Sequence, residues 1–377
     1  MTGRQKIEVA LCPAGTPAMP AVICYEGIFI RDHWRDLTAC PWWYAHSPEV
    51  EHQLAWLRDV IRAIGQDWFI LPLGHSAQER QDLIISVEDV GVFRVNRATG
   101  MREPLAPPRV SGLDHNTRSV RPENPPLSAA QVDAAIPIPS DPGPNAVLAD
   151  GRADLPRHML QEFGRDLWPF CHVISPLWGC YRLWGFEGMM TLIADDPHLV
   201  MHACRRFLEL TERRIREAAA IGSAGVWIEE CFTDMISPRI FERINLPLVQ
   251  RMVHVIRQAG MKSIYYYCGN PAGKWDLLLA AGADALSLEE SKKGFQIDIE
   301  EVVERVQGGC VVLGNLDAVG VLENGSEEEL RAEVARQVAA GRRNRGRFIA
   351  SLGSPATPGT PVGRVRLYAD LVHGLGP

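Results

Sequence analysis

From residue 156 onward, short apolar runs alternate with segments whose apolar residues recur at helical spacing. HVISPLWG (172–179) reads as a strand and loop, and the stretch from 190 to 222 as helices. GVWIEE (225–230) is the next strand, followed by a helical pair over 238–260. SIYYYCGN (263–270) is a strand, and PAGKWDLLLAAG a helix closed by Gly282. ALSLEE, IDIEEVVERVQGG, CVVLGNLD, SEEELRAEVARQVAAG, RFIASLGSP and a last helix over 362–375 continue the alternation. Strands separated by helices of about 10–15 residues imply parallel βαβ units.

The first 150 residues are less regular. Residues 48–66 have the pattern of a helix, and DWFILPLG (67–74) that of an early strand. LIISVEDVGVFRVN, with a turn at 98–100, reads as a β-hairpin. The proline-rich stretch over 104–150 reads as an excursion or lid. The expectation is therefore one domain over 1–377, an α/β (β/α)8 TIM barrel. Its irregular N-terminal extension contains the hairpin, and 76–150 forms the inserted hairpin and lid region.

Polar residues gather at the C-terminal ends of the later strands: Glu229 and Glu230, Cys268 to Asn270, Glu289 and Glu290, Asn315 to Asp317, and Ser351 to Ser354. In a parallel barrel that end carries the chemistry, so the five strand ends mark one mouth. The segment 222–247 is the most informative of them. Two carboxylates and a thiol, Cys231, end a buried strand just before Ser237 and Pro238 open a helix. Acids placed there cost desolvation energy unless they are used.

With 377 residues, 46% apolar and 23% charged, the composition is that of an ordinary globular protein. A net charge of −7 argues against nucleic acid or an anionic membrane as the main partner. No apolar run approaches the roughly 18 residues needed to span a bilayer, and a cytoplasmic protein is the expectation. Nine scattered cysteines, odd in number and without a CxxC pair, make a disulfide framework improbable in so long a chain.

Glu230 is the first candidate, as metal ligand or general acid/base, with Glu229 expected on the opposite side of the strand. Cys268 is a candidate ligand or nucleophile and Cys231 a candidate ligand. Cys310, at the start of its strand, is expected in the core. Glu289, Glu290 and Asp317 are candidates for binding substrate, as are His75 and Ser354. Asn315 is placed with the catalytic group. Trp178 and the tyrosines of the segment 263–270 supply aromatic surface, which at a mouth suits an apolar or aromatic substrate or a quaternary ammonium. The basic run 341–347 reads as a solvated helix end, with contact to an acidic partner as its other use.

The ordered set IEECFTDMISPRIFERINLP, YYYCGN, GADALSLEE, VVLGNLDA and SLGSPATPGTP resembles the uroporphyrinogen decarboxylase superfamily, over roughly residues 165–377. That superfamily includes corrinoid- and thiol-linked methyltransferases, and this chain resembles that branch more than the true decarboxylases. The aspartate that the decarboxylases place after the first strand is absent from ILPLGHSAQ, as is their N-terminal arginine pair. The methyltransferase branch binds zinc through His-x-Cys and a second cysteine. Here those positions hold Tyr266, Cys268 and Ser354. The resemblance implies a methyltransferase or demethylase moving a methyl group from a small methylated substrate to a corrinoid or thiol acceptor. It implies zinc held by Glu230, Cys268 and Cys231, with Tyr266 in the catalytic group, a corrinoid protein as partner, and a homodimer. The other reading is a metal-free lyase or decarboxylase-type enzyme using Glu230 as acid/base.

Overall fold

The computed structural model describes residues 1–111, 122–140, 143–291 and 294–375. The strands, in chain order, are β1 (Trp68–Ile70), β2 (Leu83–Glu88), β3 (Gly91–Asn96), β4 (Arg102–Leu105), β5 (Trp168–Ile174), β6 (Gly225–Glu230), β7 (Lys262–Tyr267), β8 (Ala285–Leu288), β9 (Val311–Leu313) and β10 (Phe348–Ile349). Seven of them form one parallel sheet in the order β1-β5-β6-β7-β8-β9-β10, each step crossed by helix.

Among the described residues the sheet has seven regular strands where eight were expected. The two edges are joined through residues 20–23, which are not a regular strand. Ala21 bridges Ala350 in parallel register, Val22 N–H donates to the Ala350 carbonyl at 2.9 Å, and Asp67 N–H donates to the Ala21 carbonyl at 2.8 Å. Such a segment satisfies edge groups that would otherwise be exposed.

Asp67 locks this junction. Its carboxylate accepts from Ala21 N–H at 2.7 Å and from His373 Nε2 at 2.8 Å, and Lys6 Nζ lies 3.3 Å away. One buried acid thus ties the joining segment to the first and last helices. Asp67→Asn keeps the shape but loses the charge on three donors. It is expected to destabilise the fold by about 2 kcal/mol, read as a lowered urea midpoint at unchanged slope.

β5 begins at Trp168, four residues before the expected strand, and the chain enters a helix at Pro176 rather than a loop. Ser175 caps that helix, its hydroxyl accepting from Trp178 N–H, with proline at the first helical position. Gly225 opens β6 because a Cβ there would lie 2.1 Å from the Trp168 ring.

Strands β2, β3 and β4 form a separate antiparallel sheet in the 76–150 excursion. The excursion is held to the main body where Trp184 Nε1–H donates to the Pro126 carbonyl and Arg206 to the Ile136 carbonyl, both at 2.7 Å. Part of the expected lid, residues 112–121 and 141–142, lies outside the described residues.

The basic run 341–347 is used within the chain. Arg342 donates to the Leu375 carbonyl, Arg343 pairs with Glu300 at 2.7 Å, and Arg347 donates to the Gly308 carbonyl. Among the described residues no helix is long and apolar enough to cross a membrane.

Candidate functional site

Strand alternation decides which side chains meet. The registers His172↔Trp227, Ile174↔Glu229 and Glu229↔Tyr266 align one face across β5, β6 and β7. Residues paired in this way point to the same side of the sheet. On that face Trp68, Phe170, His172 and Trp227 join Tyr25 and Glu26 around a cavity of about 260 Å³.

Glu229 stands behind the cavity wall and organises it. Its Oε2 lies 3.0 Å from His172 Nε2, and its Oε1 accepts from the Tyr25 hydroxyl at 3.0 Å. The Cys231 thiol donates to the same oxygen at 3.6 Å. Burial works to raise the Glu229 carboxyl, but the hydrogen bond and charge of His172, with the Tyr25 and Cys231 bonds, hold it below the usual carboxylate range. An ionised Glu229 therefore faces a histidine that reaches the cavity. In the neutral ring, the bond to Glu229 places the proton on Nε2 and leaves Nδ1 as the nitrogen open to a substrate.

Tyr25 and Glu26 sit where the joining segment turns into a helix (Glu26–Asp32). Tyr25 has φ 52° and ψ 39°, a left-handed conformation that costs a bulky residue about 1–2 kcal/mol. Its ring stands edge-on to Tyr266, with centroids 5.2 Å apart. Burial pushes the phenol well above its ordinary value, and negative charge on Tyr266, Cys231 and Glu229 adds to this. Burial also pushes the Glu26 carboxyl up to about 7, against hydrogen bonds from the Gln66 side chain and the Ile70 backbone.

Cys231 and Cys268 are hydrogen-bonded neighbours at the ends of β6 and β7. That bond first, then burial, then the nearby charges of Cys268 and Glu229, raise the Cys231 thiol well above its ordinary value. The next residue, Phe232, is a second aromatic side chain in left-handed backbone, with φ 66°. It packs against Trp178 and Tyr181, at 5.0 and 5.2 Å.

Glu230 lies on the other face of β6, wholly buried under the helices. Ser175 Oγ–H donates to it at 2.7 Å, Asn245 Nδ2 at 2.8 Å, and the Tyr265 hydroxyl at 3.5 Å. Burial pushes its carboxyl up to about 8, with those hydrogen bonds pulling the other way. The expected assignment of the two acids is thereby reversed. Glu229, not Glu230, belongs to the face that carries the cavity.

This has a consequence for metal. The expected ligands Glu230, Cys268 and Cys231 are not brought together, because Glu230 is on the wrong side of its strand. Among the described residues, no group of three or more His, Cys, Asp or Glu side chains is disposed to hold a metal ion. Glu229 instead holds His172, Tyr25 and Cys231 through hydrogen bonds to its two oxygens.

The other expected positions are dispersed. Tyr266 is on the cavity face, stacked on Trp227 with centroids 5.2 Å apart, and its hydroxyl donates to the Gly353 carbonyl at 3.2 Å. Asn315 donates both amide protons to backbone carbonyls, of Glu289 at 3.1 Å and Ile297 at 2.7 Å. Asp317 caps the turn of helix that follows it, accepting from Val319 and Gly320 N–H. Ser354 donates to Glu290, and Glu289 and Glu290 are buried at the end of β8. His75 faces Glu79 at 3.8 Å, and burial lowers its imidazole below its ordinary value. Tyr25, Glu26 and His172 escaped the sequence reading. The signal for His172 was its period-two spacing from Trp168 and Phe170 on a strand read as starting too late.

A family model described as uroporphyrinogen decarboxylase (URO-D) matches residues 123–375. The uroporphyrinogen decarboxylase of Thermodesulfovibrio yellowstonii is 28% identical over 167 residues, 44% of this chain and 46% of that protein. That of Anaeromyxobacter sp. is 23% identical over 191 residues, 51% and 52% of the two chains. The methylcobamide:CoM methyltransferase MtbA of Methanosarcina mazei is 25% identical over 108 residues, 29% of this chain and 30% of that one. The chain thus spans about half the length, or less, of these curated relatives. A solved structure described as a methyltransferase from Methanosarcina mazei shares the fold. Its TM-score is 0.63, over 99% of this chain and 98% of that one, at 16% identity.

Proposed function

The chain belongs to the uroporphyrinogen decarboxylase (URO-D) family, and from that premise we propose that it is a methyltransferase, moving a methyl group from a small methylated donor to a thiol. The observation that carries this reading is the Tyr25–Glu229–His172 array on the wall of a small aromatic cavity. His172, held by Glu229, takes the proton from the incoming thiol. The thiolate attacks the methyl carbon, the carbon–heteroatom bond breaks, and the heteroatom leaves with the bonding pair. Where the donor is neutral, the proton on His172 passes to that leaving atom.

The cavity speaks against a tetrapyrrole. Its volume lies below the roughly 300–1,000 Å³ usual for small-molecule pockets. Among the described residues that wall it, none is lysine or arginine, whereas a polycarboxylate substrate needs such partners. The lyase reading loses its acid/base, since Glu230 is on the far side of β6. A corrinoid carried on a partner protein is the alternative acceptor, and supply of the cobalt nucleophile would leave His172 only the leaving-group proton to handle. Either acceptor is compatible with a single chain or a homodimer.

The test is product formation from methyl ethers, thioethers and methylated amines, with 2-mercaptoethanol as acceptor, on protein dialysed against a chelator. The expected product is S-methyl-2-mercaptoethanol, detected by mass spectrometry, with activity kept after chelation and lost in His172→Ala. Activity that returns only when zinc is added back would restore the metal-assisted reading. Product with cob(I)alamin alone would make the corrinoid the acceptor.

A further inference from the structure

Resting on the methyl-transfer reading, we propose that the cavity selects methyl donors that carry a permanent positive charge, the quaternary ammonium and tertiary sulfonium class. Three kinds of observation converge on a cation: the arrangement of the rings, the placement of the acids, and the chemistry of the leaving group.

The rings meet at steep angles. Trp227 makes an interplanar angle of 72° with Tyr25, centroids 6.5 Å apart, and of 79° with Trp68, centroids 5.6 Å apart. Walls set nearly at right angles around a small space present π-faces and edges to one guest from several sides. A cation over such faces is held by the ring quadrupoles, most strongly when water is excluded. Trp68 and Trp227 are almost fully buried, at 1% and 3% exposure, so the contacts form in low dielectric. The Tyr25 hydroxyl donates to an ionised carboxylate, which makes its ring richer in electrons and a better cation acceptor.

Glu26 lines the cavity, its carboxyl pushed up to about 7 by burial, and ionised Glu229 lies directly behind Tyr25 and His172. No lysine or arginine is among the described lining residues, so a bound cation meets only carboxylates and rings there and favours the charged form of Glu26.

The reaction fits as well. A thiolate attacking an onium methyl neutralises both charges as the new C–S bond forms, and the amine or sulfide leaves neutral. No Lewis acid is needed at the leaving atom. Loss of charge on the way to the transition state also means that the cage mainly binds the ground state. Weakening it therefore raises KM without lowering kcat.

The probe is choline, compared with its neutral carbon isostere 3,3-dimethylbutan-1-ol by isothermal titration calorimetry on the full chain. Choline is expected to bind at least about 10-fold tighter, and Glu26→Gln to erase most of that preference while far-ultraviolet dichroism stays unchanged. Trp227→Leu serves as a second variant, with weakening of about 10-fold or more. In turnover, Glu26→Gln is expected to raise KM for an onium donor several-fold with kcat not lowered. Equal affinity for choline and its isostere, or no binding of either, overturns the proposal. Choline binding without methyl product from either 2-mercaptoethanol or cob(I)alamin supports the cation site and overturns the methyl-transfer reading. Efficient transfer from neutral ethers or thioethers, with none from onium donors, does the reverse.

Discussion

Glu229→Gln is expected to lower methyl transfer by about 10²–10³-fold while leaving the fold intact. The magnitude follows from what the carboxylate does, since a positioned acid–base pair contributes about 10²–10⁴-fold. It is a positioning residue: it sits 3.0 Å from His172 Nε2 and accepts from Tyr25, and is not among the residues lining the cavity. Glutamine presents one acceptor and one donor where the carboxylate presented two acceptors. Either His172 or Tyr25 then meets an N–H instead of a lone pair. The positive charge that forms when His172 takes a proton also loses its counter-charge. One readout separates this from a packing defect: kcat falls more than KM rises. His172→Asn should show the same loss, and the double variant little more than either single change, as expected for groups that act as one unit. Full activity in Glu229→Gln would sink the assigned role of the pair.

Much of the architecture was legible in the residue pattern because parallel strands and their crossover helices follow two clean periodicities. The strands GVWIEE, SIYYYCGN, ALSLEE and CVVLGNLD all occur where their apolar runs stand. The side of β6 that faces the cavity was not legible. In a strand covered by helices on one face and by the sheet interior on the other, both faces are buried. Val226, Ile228 and Glu230 look no less interior than Trp227 and Glu229. Alternation separates the two sets without naming the inner one. On β5 and β6 size is the surviving clue, since Trp168, Phe170 and Trp227 put large rings on the cavity side, whereas on β7 tyrosines occupy both faces. Tyr25 and Glu26 were beyond reach for a different reason. They belong to an irregular segment whose role depends on Ala21 meeting Ala350 and Asp67, pairings more than forty and three hundred residues away in the chain. Local periodicity carries no trace of such contacts. The same distance explains the missing eighth strand, whose place is taken by residues 20–23.

Glu230 gives the second large effect, in stability and not in chemistry. It is wholly buried, and its carboxyl is pushed up to about 8 from an ordinary 4.5. Between those values the folded protein keeps a proton that the unfolded chain has lost. Raising the pH through this window therefore favours unfolding. The contribution of this group is at its most favourable below pH 4.5, is lost progressively up to about pH 8, and is level above. A gap of that size corresponds to at most about 5 kcal/mol. The neutral acid is worth keeping because it joins three elements: Ser175, which caps the helix Pro176–Asp195; Asn245, at the end of the π-helical turn Phe241–Asn245; and Tyr265 of β7. Glutamine is the uncharged isostere and preserves an acceptor for these donors. Glu230→Gln is expected to match the wild type near pH 5 within about 1 kcal/mol, and to exceed it by several kcal/mol near pH 8. The measurement is a series of urea denaturations from pH 5 to 9 on both proteins. Taking their difference removes every other titrating group common to the two. Parallel curves would mean that Glu230 is ionised in its buried site. The neighbouring substitution then provides the contrast. Glu229→Gln should cut turnover steeply, whereas Glu230→Gln should raise the urea midpoint at high pH and spare turnover. Two adjacent carboxylates on opposite faces of one strand would thus separate into a group that serves the reaction and a group that serves the fold.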